Sequence, residues 1–377
     1  MKITIFKEDK SEQRISIVPE TVKKYIDLGI DIQIEPGIGH DIYTDSDFVK
    51  FGAKVIKSKT KLFDTDIIIQ VNCPKEAILK NIKKQTTLIC LLDPFFNKPQ
   101  LKNIIENKIT SLGLEFIPRS TYAQKMDVLS SQSSLAGYVA VMLAASKTSK
   151  IFPMMMTPAG TISPSKVFIV GAGVAGLQAI ATAKRLGAQV EAFDTRPVVE
   201  EQVKSLGAKF LKVDLGQTGE SNQGYAKELT ANQLEKQKQV MLKACKQADI
   251  VITTAQLFGK KAPIIITNEM IAEMKQGSII VDLAIETGGN VEASELGKEI
   301  DSEGVHIIGL PNLASFVAKD ASLVFSSNIF SLIEDIYDKE TKTCKIDLSN
   351  DIIKSVLTTK NGKIVNPMLQ KNSEGSS

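Results

Sequence analysis

The sequence predicts an α/β protein with two doubly wound, Rossmann-like parallel sheets that are separated by a cleft. Two separate stretches of the chain alternate short β-branched runs with amphipathic segments, which is the pattern of a parallel sheet covered by helices. At ~150 residues per domain, the chain length corresponds to two or three domains. A hydrophobic content of 43% is enough to build their cores.

The first alternation covers residues 1–115. Short apolar runs rich in β-branched residues predict four strands, at 3–6, 31–35, 66–71 and 86–91. Between them, apolar residues recur at helical spacing and predict helices at 19–28, 74–83 and 98–107.

The second alternation begins at Lys166. Its apolar runs predict strands at 167–170, 189–193, 209–213, 249–253, 278–282 and 305–308. Amphipathic segments between them predict helices at 174–186, 198–206 and 228–246.

Two long segments, 131–146 and 322–337, are predicted to be helices that lead from the first sheet to the second and back. We therefore expect a discontinuous first domain of residues 1–130 and 320–377, and a second domain of residues 131–319. Ligands of open α/β proteins lie beyond the carboxyl ends of the strands, often where two domains face each other. We expect the site in that cleft.

Composition disfavours several other classes of protein. The 46 Lys and Arg nearly balance the 43 Asp and Glu, and a net charge of +3 is too small to drive binding to nucleic acid. The most apolar stretches, near 138–145 and 151–156, are too short to span a bilayer. Residues 1–6 lack the pattern of a secretion signal, which indicates a cytoplasmic protein. Four scattered cysteines and two histidines predict neither a metal site nor disulfides.

Residues 166–179 carry a GxGxxG motif between a predicted strand and a predicted helix. In this motif Gly171 permits a tight turn, Gly173 lets the backbone approach a pyrophosphate, and Gly176 allows close packing of helix on strand. The diphosphate would then lie on the free N–H groups of the helix N-terminus. An isolated GxGxxG is often a plain turn, but the surrounding βαβ pattern favours a dinucleotide site.

Asp194 ends the next predicted strand, 23 residues after Gly171. A carboxylate there can accept hydrogen bonds from the adenosine ribose and would repel a 2′-phosphate, so NAD(H) is favoured over NADP(H). Arg196 weakens this preference because its guanidinium could pair with that phosphate.

Residues 118–137 are dense in polar side chains and lie at the predicted domain joint. They are either a ligand-holding loop that faces the cleft or a solvated linker before a helix capped by Ser130 or Ser131. An ion pair of Arg119 with Asp127 fits a structural role as well as a catalytic one.

Three other segments could also contact a ligand. Residues 214–230 form either a lid or an exposed loop. Residues 253–256 follow a strand and so lie at the sheet edge where dinucleotides bind, whereas a plain turn explains 288–290 equally well. Neither His40 nor His306 is placed as an obvious acid or base, which suits a reaction that moves only a hydride.

The sequence resembles the NAD(H)-binding alpha subunit, domain I, of the proton-translocating NAD(P) transhydrogenases, which is similar in fold to alanine dehydrogenase. The matching motifs extend over nearly the whole chain, at 14–22, 126–138, 171–179, 193–196, 224–228 and 253–255. The segment around Asp127 is the most specific of them.

The resemblance implies site residues. A loop with Arg119, Gln124, Asp127 and Ser130 would hold the nicotinamide so that its C4 hydrogen faces a second nicotinamide on a partner subunit. The other residues expected to bind the cofactor are Ser120, Thr121, Tyr122, Gly171, Gly173, Val174, Ala175, Gly176, Asp194, Thr195, Arg196, Gly224, Gln237, Thr254, Ala255, Gln256 and Tyr225, the last on a mobile loop.

The resemblance also implies an NAD(H) cofactor, Si-specific (AB-specific) hydride transfer and a homodimer. Its partners would be an NADP(H)-binding beta subunit and a second, membrane-spanning alpha chain, which would hold this chain at the inner face of the cytoplasmic membrane. Because the chain ends at Ser377 without hydrophobic helices, we expect the split form of the enzyme.

An alanine-dehydrogenase-like activity is the alternative function. That enzyme resembles this chain but has a catalytic lysine and a histidine where Asn72 and Asp93 stand here. Phe258, in turn, departs from the transhydrogenase pattern, which has a proline there. A nucleotide-sensing module without chemistry is a third hypothesis.

Overall fold

The computed structural model describes residues 1–214 and 230–374. The chain divides into two compact units, one formed by Met1–Gln132 with Val317–Ser377 and the other by Ser133–Phe316. Each unit contains one large sheet. The predicted α/β class with two Rossmann-like sheets is confirmed.

The N-terminal third of the chain contains six strands and five short helices. The strands are β1 Lys2–Ile5, β2 Asp31–Ile34, β3 Lys54–Val55, β4 Ile67–Asn72, β5 Thr87–Leu91 and β6 Thr110–Gly113. The helices are α1 Pro19–Asp27, α2 Asp45–Lys50, α3 Lys59–Leu62, α4 Glu76–Leu79 and α5 Lys98–Glu106. Two 3₁₀ turns, Leu114–Phe116 and Ala123–Met126, precede the long helix α6 Val128–Lys147.

The middle of the chain continues with nine strands. They are β7 Met155–Thr157, β8 Gly160–Ile162, β9 Lys166–Val170, β10 Gln189–Phe193, β11 Lys209–Phe210, β12 Ile250–Thr253, β13 Ile279–Asp282, β14 Lys298–Ser302 and β15 Val305–Gly309. Its helices are α7 Val174–Arg185, α8 Glu200–Ser205, α9 Ala231–Gln247 and α10 Asn268–Ala272, with 3₁₀ turns at Pro197–Val199, Ile285–Thr287 and Leu313–Val317.

The C-terminal segment begins with α11 Ala318–Ile336. It continues with β16 Tyr337–Asp338, β17 Thr343–Cys344, α12 Asp351–Val356, β18 Leu357–Lys360, β19 Lys363–Ile364 and α13 Pro367–Glu374.

The first sheet has the strand order β19-β18-β6-β5-β4-β1-β2-β3. Its strands from β6 to β3 are parallel, and alternate side chains of each feed two separate apolar clusters. In β4, for example, Ile67 and Ile69 enter one cluster and Ile68 enters the other. This two-sided burial produces the continuous apolar runs from which the strands were predicted.

The second sheet has the order β11-β10-β9-β12-β13-β15-β14. Its parallel strands run outward from β9 in both directions, first through β10 to β11 and then through β12 to β15. The strand order therefore reverses between β9 and β12. Crevices at such reversal points are where dinucleotides bind in this class of sheet.

Several elements differ from the prediction. The predicted helix 74–83 is only four residues long, at α4. The antiparallel edge strands β14, β18 and β19 were not predicted, nor was the hairpin β7–β8. The hairpin strands are mainly exposed, and Met156 is 79% exposed. Short strands at an edge or on the surface lack the buried apolar run that reveals a central strand.

Two helices are long and apolar enough to cross a membrane by length and composition alone, Val128–Lys147 and Leu313–Ile336. The sequence analysis expected no such stretch. Core helices of proteins outside membranes meet the same criterion, and half of the apolar window of the second helix is buried in the fold.

Candidate functional site

The glycine-rich turn connects β9 to α7 at the reversal point of the second sheet. Gly171 has a φ of +94°, which favours glycine, and Gly173 is the N-cap of α7. A side chain on Gly176 would overlap the carbonyl oxygen of Gly171, so the helix can approach the strand only with glycine there. At Gly173 the nearest atom to an added Cβ would be Arg196 Nη2, 3.9 Å away. The space next to Gly173 is open to a ligand.

Asp194 follows β10 and is held by donors from two directions. Its Oδ2 accepts hydrogen bonds from Ala172 N at 2.7 Å and Arg196 Nη2 at 2.8 Å. Its Oδ1 accepts from Arg196 N and Arg196 Nε, both at 2.9 Å. The carboxylate thus ties the glycine-rich turn to residue 196 and forms a two-pronged ion pair with the guanidinium.

These four donors bear on the predicted ribose contact. A carboxylate has about four acceptor positions, so ribose hydroxyls would bind Asp194 in exchange for donors that it already holds. The guanidinium of Arg196 is the movable one, because the other partners of Asp194 belong to the backbone. Thr195 lies between these two residues in the chain, and Val174 and Ala175 form the first turn of α7.

The loop after β12 is fixed by a buried polar cluster that the sequence analysis did not predict. Thr254 Oγ1 donates to the Gly171 carbonyl at 3.0 Å, while Ala255 exchanges two hydrogen bonds with the side chain of Asn290. Asp282, at the end of β13, accepts from Asn290 N and Thr253 Oγ1. Burial raises the pKa of Asp282 above its ordinary value, although backbone hydrogen bonds oppose this.

A signal for this cluster was present in the sequence. Asp282 ends a strand, and Asn290 follows two glycines in the next loop. The 288–290 segment, which could be explained as a plain turn, therefore supports the residues at 254 and 255.

Other predicted residues of this unit lie farther along the same edge. Gln256 donates from Nε2 to the Leu283 carbonyl at 3.3 Å. Gln237 is buried on α9, and its Oε1 has no hydrogen-bond partner among the residues that the structure describes. Gly224 and Tyr225, with the predicted lid, lie outside the described residues.

Gly137 is a further residue that the prediction omitted. A Cβ on Gly137 would overlap the carbonyl oxygen of Ala175, so α6 contacts the first turn of α7 backbone to backbone. That first turn is the one on which a diphosphate would lie. The spacing of the sequence motif alone gave no sign of this contact.

The polar loop of the other unit has an exposed tip and an anchored base. Arg119, Ser120, Thr121 and Gln124 are exposed, and the 3₁₀ turn Ala123–Met126 follows them. The hydroxyl of Tyr122 donates to Asp335 on α11, and this contact raises the pKa of Tyr122. Asn328, also on α11, donates to the Lys125 carbonyl at 2.9 Å.

Asp127 is the N-cap of α6, which corrects the prediction that Ser130 or Ser131 caps this helix. The helix begins at Val128, and Asp127 accepts a hydrogen bond from Ser130 N at 3.0 Å. Its second oxygen accepts from Ser130 Oγ at 2.5 Å. Asp127 is 8% exposed. Asp127 and Ser130 are therefore brought together as one hydrogen-bonded pair.

Buried charged groups occupy the carboxyl edge of the first sheet, and the prediction omitted them as site residues. Glu8 follows β1 and accepts from Val71 N at 2.6 Å. Burial raises the pKa of Glu8 to about 8, with the charge of Glu12 adding to the rise. Glu115 accepts from Leu92 N and Asp93 N, and burial raises its pKa to about 7.

Asn72 lies at the same edge, at the end of β4. Its Nδ2 donates to Glu12 Oε2 at 2.9 Å, so the side chain is part of the charged cluster. Within the described residues, no group of three or more His, Cys, Asp or Glu side chains could hold a metal ion.

Comparison with known proteins confirms the resemblance seen in the motifs. The models "Alanine dehydrogenase/PNT, N-terminal domain" and "Alanine dehydrogenase/PNT, C-terminal domain" match residues 4–136 and 140–367. The first chain of the divided NAD(P) transhydrogenase alpha subunit of Rhodospirillum rubrum is 44% identical, over 98% of this chain and 99% of that protein.

Two further comparisons agree. The alanine dehydrogenase of Staphylococcus epidermidis is 30% identical, over 78% of this chain and 75% of that protein. The crystal structure of a transhydrogenase from Sinorhizobium meliloti has a TM-score of 0.83 and 37% identity, covering 97% of this chain and 99% of that one. This chain belongs to the alanine dehydrogenase/PNT family.

Proposed function

We propose that this chain is the NAD(H)-binding peripheral subunit of a proton-pumping transhydrogenase. It would transfer a hydride between NADH and an NADP⁺ held on a partner subunit. The observation that carries the proposal is the 44% identity to the first chain of a divided transhydrogenase alpha subunit, over almost the full length of both proteins.

The dinucleotide would bind at the reversal point of the second sheet. The open space at Gly173 and the first N–H groups of α7 suit a diphosphate. Asp194, Thr195 and Arg196 would contact the adenosine ribose. Val174, Ala175, Thr254, Ala255, Gln237 and Gln256, with Gly224 and Tyr225, would complete the contacts.

The loop from Arg119 to Ser130 would position the nicotinamide. Bound NADH supplies the hydride, and the chain supplies orientation. Arg119 and Gln124 are exposed and would contact the ring, while the Asp127–Ser130 pair would present a rigid polar surface for its carboxamide. Correct placement of two reactants can lower a barrier by about 7–11 kcal/mol, so this reaction needs no acid or base.

The partners would be an NADP(H)-binding beta subunit and a second, membrane-spanning alpha chain. They would carry proton translocation and hold this chain at the inner face of the cytoplasmic membrane. We further propose that the chain acts as a homodimer and that the transfer is Si-specific (AB-specific). In support of separate partner chains, the relatives that match over nearly their full length are named as one portion of a divided alpha subunit.

The test combines the purified chain with an NADP(H)-binding partner subunit. We expect NADH to reduce a thio-NADP⁺ analogue only when both proteins are present. An alanine dehydrogenase, the alternative suggested by the 30%-identical relative, would reduce NAD⁺ with alanine and no partner. NADH binding without any transfer to the analogue would instead indicate a sensing module. Either result would overturn the proposal.

A further inference from the structure

A buried chain of hydrogen bonds connects the segment after β1 to α6, through Glu12, Arg14 and Gln132. Arg14 Nε donates to Glu12 Oε1 at 2.9 Å, and Arg14 Nη2 donates to Glu12 Oε2 at 2.7 Å. The remaining arm of the guanidinium, Nη1, donates to Gln132 Oε1 at 3.0 Å. We call these three residues the Glu12–Arg14–Gln132 chain.

Gln132 lies on α6 five residues after the capping residue Asp127. Both ends of its amide are used, since Nε2 also donates to the Ala321 carbonyl on α11 at 3.0 Å. An α-helix turns about 100° per residue, so Gln132 projects about 200° around the helix from Ser130. Gln132 therefore holds the buried side of α6, opposite the side on which Ser130 meets Asp127.

The Glu12–Arg14–Gln132 chain is costly to bury. Glu12 is 3% exposed, Arg14 6% and Gln132 8%. Burial alone would raise the pKa of Glu12, but the hydrogen bonds and charge of Arg14 outweigh it and lower that pKa. Buried ion pairs are weak sources of stability compared with apolar packing, and their best-attested role is to fix one arrangement of a fold.

The same segment is anchored elsewhere along α11. Asn328 holds the carbonyl of Lys125, and Ser322 Oγ accepts from Ile15 N at 2.9 Å. Residues 125 to 132 are thus held at Lys125 by α11 and at Gln132 by both α11 and Arg14. Between these anchors lie Asp127 and Ser130.

We propose that Arg14, acting through Gln132, is a positioning residue for hydride transfer. It fixes the first turn of α6 and thereby the Asp127–Ser130 pair. This inference rests on the proposed function, because the pair is assigned there to the nicotinamide. A displacement of about 1 Å at such a pair can slow a reaction about a hundredfold without removing a contact to the cofactor.

The test compares three variants of the full chain with the partner subunit. Gln132→Met removes both amide contacts at similar volume, while Gln132→Glu keeps an oxygen for Arg14. Thr359→Val is the matched control, since it removes a buried hydroxyl that donates to Ile109 O at the edge of the same sheet. For each, the NADH dissociation constant and the single-turnover hydride-transfer rate are measured separately.

We expect Gln132→Met to slow transfer at least about tenfold with NADH affinity changed less than about threefold. Gln132→Glu should stay within about threefold of the original rate, as should Thr359→Val. A normal rate in Gln132→Met would overturn the inference. So would an equal slowing in Gln132→Glu, which would assign the effect to Ala321, or an equal slowing in Thr359→Val, which would indicate general destabilisation.

Hydrogen exchange of residues 119–135 separates failure of the inference from failure of the proposed function. If the original chain binds NADH but transfers no hydride, the proposed function fails. Faster exchange at 127–132 in Gln132→Met, but not in Thr359→Val, would still support the anchoring of α6 by the Glu12–Arg14–Gln132 chain. Unchanged exchange would overturn that as well.

Discussion

Gly173 and Gly176 lie one turn apart and differ in their tolerance of a methyl group. In Gly173→Ala the new Cβ points into open space, so stability should be unchanged while NADH affinity falls at least about tenfold through collision with the diphosphate. In Gly176→Ala the Cβ overlaps the Gly171 carbonyl, so both stability and affinity should fall. Thermal unfolding and NADH titration of the two variants check this. Equal behaviour of the two would contradict it.

Glu8 makes stability depend on pH. Its folded pKa of about 8 lies above the ordinary value of 4.5, so between these values the folded state holds a proton that the unfolded state has lost. The contribution of Glu8 therefore becomes more destabilising as pH rises from about 4.5 to about 8. Arg14 and Glu12 face the group and act in opposite directions.

Glu8→Gln keeps the acceptor for Val71 N but has no charge to bury. We expect this variant to match the original chain at pH 5 and to exceed it by at least about 1 kcal/mol at pH 8.5. Urea unfolding at the two pH values measures the difference. A difference that does not grow with pH would show that Glu8 is ionised throughout.

The cap of α6 shows where residue-level prediction fails. Asp, Ser and Asn are comparable N-caps, so the spacing of 127–131 allowed several starting points for the helix. The 3₁₀ turn Ala123–Met126 selects Asp127, and such a turn leaves little trace in the apolar pattern. The glycine motif, in contrast, was legible because each of its positions has its own steric reason.

At the scale of the element, the first turn of α6 combines capping with the proposed nicotinamide contact. Asp127→Ala loses the cap and should cost about 1 kcal/mol of stability, whereas Asp127→Asn keeps an acceptor for Ser130 N. Both should slow hydride transfer strongly while most NADH affinity remains, because both lose the charge that holds Ser130 Oγ. Unfolding midpoints and transfer rates separate the two roles. Full activity in Asp127→Asn would exclude a role for the charge.

Central and edge strands differed in how well they could be predicted. The parallel strands β4, β5, β9 and β12 are buried on both faces and therefore read as apolar runs. β18 contains Thr358, Thr359 and Lys360, and its two threonines are fully buried by pairing and hydroxyl contacts. Polar residues buried in this way give no hydrophobic signal.

At the scale of the whole molecule, the order of strands decides where chemistry can occur. The sequence predicts which strands exist, but the reversal between β9 and β12 depends on pairings among residues about 80 positions apart. The glycine motif marked the correct strand. The charged cluster of Glu8, Glu12 and Arg14 was missed because its members meet only after the first sheet is assembled.

The proposed cofactor preference predicts a difference in ligand stabilisation. NADH at a hundred times its dissociation constant should stabilise the folded chain by about 2.7 kcal/mol. NADPH at the same concentration should stabilise it much less, since its 2′-phosphate would meet Asp194. Thermal unfolding with each nucleotide tests this, and equal shifts would contradict NAD selectivity.

The pairing of Asp194 with Arg196 has a consequence for the evolution of the site. The guanidinium that could receive a 2′-phosphate is already present, held by the carboxylate that would repel one. Replacing Asp194 with a small neutral residue would remove the repulsion and release the cation in a single step. Specificity for one dinucleotide over the other would thus lie one codon change from its reversal.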